Sequence, residues 1–224
     1  MLKAGIRTVQ RGPLQYTLGA DGRPTRLRPW LGDIVSPFYD AIMRRSVFPK
    51  KFLADIDRHV AILREALSDV HGQRVLELGT GSGSATAFLP ADNRYVGSDV
   101  SPSLLRQAAK RFQRAGFSGS AFYVAGAESL PFANDTFDLC LCIISLNFFG
   151  ETAPVLSDIQ RMLVPGGRLL CAVPVPERSP HGSVIHGTLH SEAELDQLCA
   201  DQGLALAAFP DQNGALLYFW AEDQ

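Results

Sequence analysis

Short apolar runs alternate with segments of helical periodicity along most of the chain. The first run, RVLELG, ends in glycine, and its length and composition predict a buried strand. Before it, Ile56, Val60, Leu63 and Leu67 recur at helical spacing and predict a helix over about 51–70. After it, further strands are predicted from RYVGSDV, AFYVAGA, FDLCLCIISL and GRLLCAVPV.

Helices are predicted between these strands, over about 82–90, 101–115 and 151–163. Another helix opens at Ser191, which forms a capping box with Glu194. The runs LALAAFP and ALLYFWA then lie close together and favour an antiparallel pair. Strands that alternate with helices indicate an α/β fold with a mostly parallel sheet covered by helices on both faces.

The N-terminal part of the chain follows a different pattern. Residues 1–35 are rich in Gly, Pro and Arg and lack periodicity, so they are predicted to be irregular. The stretch SPFYDAIMRRSVF predicts a short helix, with Ser36 as its cap and Pro37 at its first position. We therefore divide the chain into an N-terminal extension or lid over 1–50 and a main domain over 51–224.

Composition places the chain among ordinary globular proteins, with 224 residues, 46% of them hydrophobic and 20% charged. Its four cysteines form neither a CxxC pair nor a zinc-like pattern, and we expect buried thiols and no metal site. The N-terminus does not read as a signal peptide, and no apolar run is long enough to span a membrane, so the cytoplasm is the expected location.

Charge is unevenly distributed although the net charge is only -2. Through residue 75 there are thirteen Lys or Arg against seven Asp or Glu, and the remainder holds eight against sixteen. A basic front on an acidic body is compatible with an intramolecular lid, with a site for acidic ligands, or with a solvated basic arm.

The stretch RVLELGTGSGSA carries the strongest chemical signal. A strand, a glycine turn and a helix N-terminus form a nucleotide-binding device, because glycine permits tight turns and close backbone approach. A dinucleotide site requires GxGxxG, but position 84 is Ser and the third glycine is Gly83. A P-loop is excluded because no Gly-Lys-Ser/Thr follows. Asp99 ends the next strand, where an acid suits the two hydroxyls of a ribose.

At this point the chain resembles the class I S-adenosylmethionine-dependent methyltransferases, in the broad group that includes ubiquinone/menaquinone-biosynthesis C-methyltransferases. The resemblance lies in VLELGTGSG (75–83), GSDVS (97–101), AGAESLPFANDTFD (125–138) and LVPGGRLL (163–170). It implies a Rossmann-like methyltransferase fold: a seven-stranded, mostly parallel sheet whose last strand is antiparallel, helices on both faces, and an N-terminal helical extension. It also implies S-adenosylmethionine as methyl donor and S-adenosylhomocysteine as product.

The resemblance further implies a set of cofactor-binding residues. Glu77 would orient the glycine turn and interact with the methionine amino group, Asp99 would bind the ribose hydroxyls, and Tyr39 would close over the cofactor as a lid contact. Gly126 stands where many relatives have Asp, so the adenine amino group would be recognised by backbone or by Glu128. The complete expected set is Tyr39, Glu77, Gly79, Thr80, Gly81, Ser82, Asp99, Val100, Ala127, Glu128 and Ile143.

The methyl acceptor is less well defined by the sequence. A general base is needed only if the acceptor must lose a proton, and none is assigned. Asn147, in SLNFFG, is a candidate either to bind an acceptor or to cap the following helix. His181, His186 and His190 fall in the loop PERSPHGSVIHGTLHS, where His186 is the first candidate for a base and a surface histidine is the alternative.

These observations favour a methyltransferase that acts on a small molecule. The alternatives are an RNA or protein methyltransferase and a non-catalytic S-adenosylmethionine-binding protein. An NAD-dependent oxidoreductase is disfavoured by Ser84. Nucleic acid is not expected as a partner, because the body is acidic and lacks a clear basic binding module, although the basic N-terminal arm keeps RNA open. The oligomeric state stays open.

Overall fold

A nine-stranded mixed sheet runs through the part of the chain that the computed structural model describes, residues 1–25, 27, 36–179 and 185–223. Its order is β1-β2-β5-β4-β3-β6-β7-β9-β8. The strands are β1 (Thr8–Arg11), β2 (Leu14–Thr17), β3 (Arg74–Leu78), β4 (Arg94–Asp99), β5 (Ser120–Val124), β6 (Phe137–Ile143), β7 (Leu163–Pro174), β8 (Leu204–Ala208) and β9 (Leu216–Asp223).

Five α-helices and one π-helix accompany the sheet in the described residues. They are α1 (Tyr39–Ile42), the π-helix Met43–Phe52, α2 (Ile56–Ala66), α3 (Pro102–Arg114), α4 (Thr152–Met162) and α5 (Glu192–Ala200). Short 3-10 helices lie at Ser36–Phe38, Ser84–Ala87, Ala127–Ser129, Leu146–Phe148 and Pro176–Arg178. The capping box of Ser191 and Glu194 is confirmed at the start of α5.

Alternation along the central strands builds two hydrophobic cores, one on each face of the sheet. In β3, Val75 packs into the core that contains residues of α2 and α3, whereas Leu76 packs into the core that contains residues of α4 and α5. The same alternation continues in β6, where Leu139 and Cys140 face opposite cores. The prediction of helices on both faces is therefore confirmed.

The expected seven-stranded core is present as β5-β4-β3-β6-β7-β9-β8, with β9 antiparallel to both of its neighbours. Seven strands as the full count is wrong, because β1 and β2 form a hairpin and β2 pairs parallel with β5. Residues 8–17 are therefore not irregular. Strands of only four residues are too short to show periodicity, and fully buried Leu14 is covered only after β2 joins the sheet.

The first helix predicted after β3 is much shorter in the structure. The helix expected over 82–90 is only the 3-10 turn Ser84–Ala87, and Pro90 follows shortly after it and disfavours helical conformation at the preceding residue.

All four cysteines are buried and free. The described residues hold no group of three or more His, Cys, Asp or Glu side chains suited to a metal ion. Within the same ranges, no helix has both the length and the apolar character that crossing a membrane requires.

Candidate functional site

The turn after β3 has a conformation that requires its glycines. Gly79, Gly81 and Gly83 have φ angles of 75°, 55° and 88°, in the left-handed region that residues with a Cβ disfavour. A Cβ on Gly79 would lie 2.4 Å from the Cβ of Ser145, and a Cβ on Gly83 would lie 2.8 Å from the Cα of Ala108 in α3. The third glycine therefore permits close packing of the turn against a helix, and the first permits close approach of the segment after β6.

Asp99 joins this turn to the end of β4. Its Oδ2 accepts a hydrogen bond from the backbone N–H of Gly81 at 2.8 Å, and its Oδ1 accepts one from the N–H of Ser101 at 2.8 Å. The two bonds fix the carboxylate beside the glycine turn, at the carboxyl ends of parallel strands, where open α/β sheets bind ligands. An acid fixed in this way is preorganised to accept bonds from ligand hydroxyls.

A cleft of about 740 Å³ opens beside this carboxylate, and we call it the Asp99 cleft. Phe148 and Phe149 also line it, so this aromatic pair forms a wall of the cleft. Seven of the predicted cofactor-binding residues line it, namely Tyr39, Gly79, Gly81, Asp99, Val100, Ala127 and Glu128. The structure therefore brings these seven together, and their contact with a cofactor stays a prediction.

Glu77 lies beneath the turn rather than on the wall of the cleft. Its side chain is 1% exposed, and the Tyr95 hydroxyl donates a hydrogen bond to its Oε2. Burial raises the pKa of Glu77 to about 8; the bond from Tyr95 opposes this shift and the negative charge of Asp99 adds to it. The hydroxyl of Thr80, 3.1 Å from that of Tyr95, also points under the turn. A buried acid with this pKa is poised to ionise when a cation approaches.

Residues 36–52, which we call the lid segment, pack over the glycine turn. A Cβ on Gly81 would lie 3.7 Å from the Tyr39 ring, and burial together with the charges of Asp99 and Glu77 raises the pKa of Tyr39 to about 12. Asp40 accepts hydrogen bonds from Ser82 Oγ at 2.6 Å and from Arg111 of α3. Ser82, predicted as a cofactor contact, is therefore bonded to the lid segment.

A second cavity, partly open to solvent, lies on the other side of Tyr39, and we call it the His59 cavity. It shares Tyr39, Gly79, Gly81 and Ile144 with the Asp99 cleft. The predicted cofactor contacts Thr80, Ser82 and Ile143 line this cavity and not the cleft. Their assignment to the cofactor stays a prediction.

Among the lining residues that the sequence predictions did not include, Ile144 and His59 are the most informative. Ile144 lines both cavities, whereas Ile143 lines only the His59 cavity, and Ile144 has a φ of 54°, an unusual conformation for a β-branched residue that no sequence pattern predicts. His59 lies three residues after Ile56 and four before Leu63, so helical spacing could have assigned it to the buried face of α2.

The segment after β6 does not behave as a helix cap. Asn147 Nδ2 donates to the backbone oxygen of His186 at 2.7 Å, and the Asn147 backbone oxygen accepts from Thr188 N at 2.8 Å. The next helix, α4, has Glu151 at its N-cap position and no side-chain capping bond. The capping alternative for Asn147 is therefore wrong, and its side chain holds the loop that contains residues 185–190. Binding of an acceptor by Asn147 stays a prediction.

The described part of the histidine loop, residues 185–190, lines neither cavity. His186 is exposed and lines neither of them. His190 Nε2 lies 2.9 Å from Thr152 Oγ1 at the start of α4, and His181 is outside the described residues. The geometry therefore does not favour His186 as a general base.

The strand order, the glycine turn after the first core strand and the acid at the end of the second define the class I methyltransferase arrangement. The backbone of the glycine turn, the fixed carboxylate of Asp99 and the apolar wall from Val100, Ala127 and Phe148 fit an adenosine moiety. Residues 76–171 match the family described as "Methyltransferase domain".

Two kinds of relatives agree with this match. Ubiquinone/menaquinone biosynthesis C-methyltransferase UbiE of Klebsiella pneumoniae is 36% identical over 104 residues, which cover 44% of this chain and 41% of that protein. The crystal structure of YcgJ from Bacillus subtilis has a TM-score of 0.64 at 17% identity and covers 75% of this chain and 99% of that one. The [4+2]-cyclase SpnF has a TM-score of 0.69 at 18% identity, covering 86% and 93% respectively.

At these identities the solved structures show the fold alone, and the chain spans about two-fifths of the length of the curated relatives it matches. Residues 76–171 nevertheless carry both the family match and the motifs of the glycine turn and Asp99. Residues 76–171 therefore form a methyltransferase domain of the class I S-adenosylmethionine-dependent type, a family whose cofactor is S-adenosylmethionine.

Proposed function

We propose that the chain transfers a methyl group from S-adenosylmethionine to a small-molecule acceptor. The observation that carries this proposal is the Asp99 carboxylate, fixed by the N–H groups of Gly81 and Ser101 on the wall of a cleft beside the glycine turn. In this proposal Asp99 accepts hydrogen bonds from the ribose hydroxyls. Val100 and Ala127 pack against the adenine, and Glu128 lies at its edge.

The methionine end then lies toward Tyr39 and the residues that both cavities share. Glu77 ionises when the ammonium group approaches, and Tyr39 covers the site from the lid segment. The bound cofactor supplies an already activated methyl group, so the chain's own task is to position two molecules and exclude water. This proposal needs no histidine base, in agreement with the exposed position of His186.

A small-molecule acceptor is favoured over a macromolecule by two observations. UbiE is named for a methylation in quinone biosynthesis, which is chemistry on a small molecule. The His59 cavity is walled by the lid segment, α2 and the glycine turn, so it suits a compact molecule. We keep the lid role of residues 1–50, the main domain over 51–224 and a cytoplasmic location as parts of the proposal. SpnF, a cyclase by name, illustrates that one fold hosts different reactions.

Isothermal titration calorimetry tests the cofactor part of the proposal. We expect the protein to bind S-adenosylhomocysteine and not NAD. Asp99→Ala should weaken S-adenosylhomocysteine by about 1–3 kcal/mol, roughly 5- to 150-fold, because charged hydrogen bonds are lost. Asp92→Ala is the matched control, since exposed Asp92 lies just before the opposite end of β4 and pairs with His71. Wild-type protein that binds no S-adenosylhomocysteine would refute the proposal.

A methyl-transfer screen with isotopically labelled cofactor tests the acceptor part. Quinone-like phenols, amines, carboxylic acids and bulk RNA are offered in parallel. Label in a small molecule supports the proposal, whereas label in RNA or in protein establishes the alternative class. Cofactor binding without transfer to any acceptor would favour the non-catalytic alternative.

A further inference from the structure

His59 is a buried polar side chain that the cofactor site does not use. It lies in α2, is 5% exposed, and lines the His59 cavity. Its ring packs edge-on against Phe48 of the lid segment with the centroids 5.0 Å apart. Burial lowers the pKa of His59 to about 3, so the imidazole is neutral at physiological pH. A neutral imidazole has one donor nitrogen and one acceptor nitrogen.

The hydrogen bonds around His59 decide which nitrogen is the donor. Nδ1 lies 2.8 Å from the Tyr218 hydroxyl, and that hydroxyl accepts a long bond of 3.5 Å from Asn213 Nδ2. The hydrogen bonds of the described residues give the hydrogen of the Tyr218 hydroxyl no acceptor other than His59 Nδ1, so we assign the hydroxyl as the donor of that bond. The proton of the imidazole then resides on Nε2. The hydrogen bonds of the described residues give Nε2 no partner, which leaves an N–H donor for a ligand in the cavity.

The remaining walls of the cavity specify the rest of that ligand. Apolar side chains predominate near His59, including Met43, Phe48, Ile56, Val60 and Phe88. Among the described residues, the charged side chains on the wall are Asp40, Arg44 and Arg111.

Each of these charges is already compensated. Arg44 binds Asp57 at 2.6 Å, and Arg111 binds Asp40. The cavity therefore offers neither an unpaired cation to a carboxylate ligand nor an unpaired anion to an ammonium ligand, and burying an unpaired charge is costly.

We propose that the His59 cavity holds the methyl acceptor, and that this acceptor is an uncharged, largely apolar molecule with an oxygen atom that accepts a hydrogen bond from His59 Nε2. The cavity adjoins the Asp99 cleft through Gly79, Gly81 and Ile144, so a molecule within it reaches the methionine end of the proposed cofactor. This inference rests on the proposed function and adds the class of acceptor and the residue that selects it.

Three naphthalene derivatives test the inference by binding to protein saturated with S-adenosylhomocysteine. They are 2-naphthol, naphthalene and 2-naphthoate, which share a ring system and differ in oxygen and charge. We expect 2-naphthol to bind about 2- to 12-fold more tightly than naphthalene, the range of one neutral hydrogen bond, and 2-naphthoate to bind most weakly. The imidazole nitrogen signals of His59, observed by NMR, should show a proton on Nε2 and should shift when 2-naphthol is added.

Variants separate the role of His59 from a general effect on the fold. His59→Phe keeps an aromatic ring and removes the donor, so it should bind 2-naphthol and naphthalene equally well. His71→Phe, at an exposed histidine after α2, is the control and should keep the preference. Val60→Trp fills the cavity without changing the His59–Tyr218 pair, and it should abolish binding of both compounds while S-adenosylhomocysteine still binds.

The outcomes distinguish this inference from the proposed function. Absence of S-adenosylhomocysteine binding by the wild type overturns the proposed function and the acceptor inference together. S-Adenosylhomocysteine binding without a preference for 2-naphthol, or with tighter binding of 2-naphthoate, overturns the acceptor inference alone. A preference for 2-naphthol that survives in folded His59→Phe overturns the assignment of His59. If His59→Phe does not fold, Val60→Trp and the NMR signals decide in its place.

Discussion

Replacing Glu77 with glutamine should stabilise the ligand-free protein in a way that depends on pH. In the unfolded chain this carboxyl titrates near its ordinary value of 4.5, whereas burial raises its pKa to about 8 in the folded protein. Between these values the folded protein holds a proton that the unfolded chain has lost. Unfolding therefore releases a proton, and the free energy of unfolding falls as the pH rises from about 4.5 to about 8.

The size of this effect follows from about 1.4 kcal/mol for each unit of pKa difference. Relative to a pH well below 4.5, the raised pKa of Glu77 lowers the free energy of unfolding by about 3 kcal/mol at pH 7. Above pH 8 this loss levels off near about 5 kcal/mol. The glutamine side chain of the variant does not titrate, and its amide oxygen still accepts the bond from Tyr95. The stability of Glu77→Gln relative to wild type should thus increase by about 4 kcal/mol between pH 5 and pH 8.

Urea unfolding followed by circular dichroism measures this difference. The difference in the free energy of unfolding between Glu77→Gln and wild type is the quantity to plot against pH. His59 also makes stability depend on pH, with the opposite sign because burial lowers its pKa to about 3, but its contribution is the same in both proteins and cancels. Glu65→Gln, at an exposed position in α2, should give a curve parallel to the wild type. Parallel curves for Glu77→Gln as well would refute the reasoning. The same variant should bind S-adenosylhomocysteine more weakly if the proposed role of Glu77 is correct, because glutamine cannot acquire the negative charge that the proposal pairs with the ammonium group.

Further predictions concern the turn and the lid segment. Gly83→Ala should lower the melting temperature more than Gly116→Ala, because both glycines have a φ near 90° but only the first would place a Cβ against Ala108, whereas Gly116 has no other atom nearby. Equal losses in the two variants would disprove the packing role of Gly83. Arg111→Met should weaken S-adenosylhomocysteine binding about two- to fivefold, since the ion pair that holds the lid segment is lost. Isothermal titration calorimetry measures this affinity, and Arg106→Met, at an exposed position of α3, is the control. An equal loss of affinity in Arg106→Met would contradict a specific role for the lid segment.

The fold was predictable wherever the sequence of a single helix or strand shows a periodicity or capping pattern. Alternating burial in β3 and β6, the capping box at Ser191 and the antiparallel pair β8–β9 all follow from local patterns. The β1–β2 hairpin escaped prediction, because strands of four residues have little pattern and are stabilised by a partner far along the chain. The place of Ile144 in both cavities was not predicted for a similar reason, since its left-handed backbone conformation depends on the surrounding structure and not on a local pattern.

The residues of the Asp99 cleft could be predicted from the sequence far better than those of the His59 cavity, and the difference has a physical cause. The Asp99 cleft depends on backbone geometry within two short stretches, where glycines at 79, 81 and 83 open the turn and Asp99 binds Gly81 N. Such geometry restricts the residue types locally, so spacing alone points to it. The His59 cavity is assembled from the lid segment, α2, α3, the glycine turn and the end of β6.

No single stretch of the second cavity restricts its residue types, because apolar side chains of many kinds fill such walls equally well. In the proposed arrangement, recognition of the cofactor constrains the sequence where the backbone bends, whereas recognition of the acceptor constrains only the combined shape and polarity of distant side chains. Relatives that share the glycine turn can consequently bind one cofactor and methylate different acceptors. Under this view, exchanging residues at positions 56, 60 and 88 should alter acceptor preference while leaving S-adenosylhomocysteine affinity unchanged. A change in that affinity would show that the two cavities act as one site.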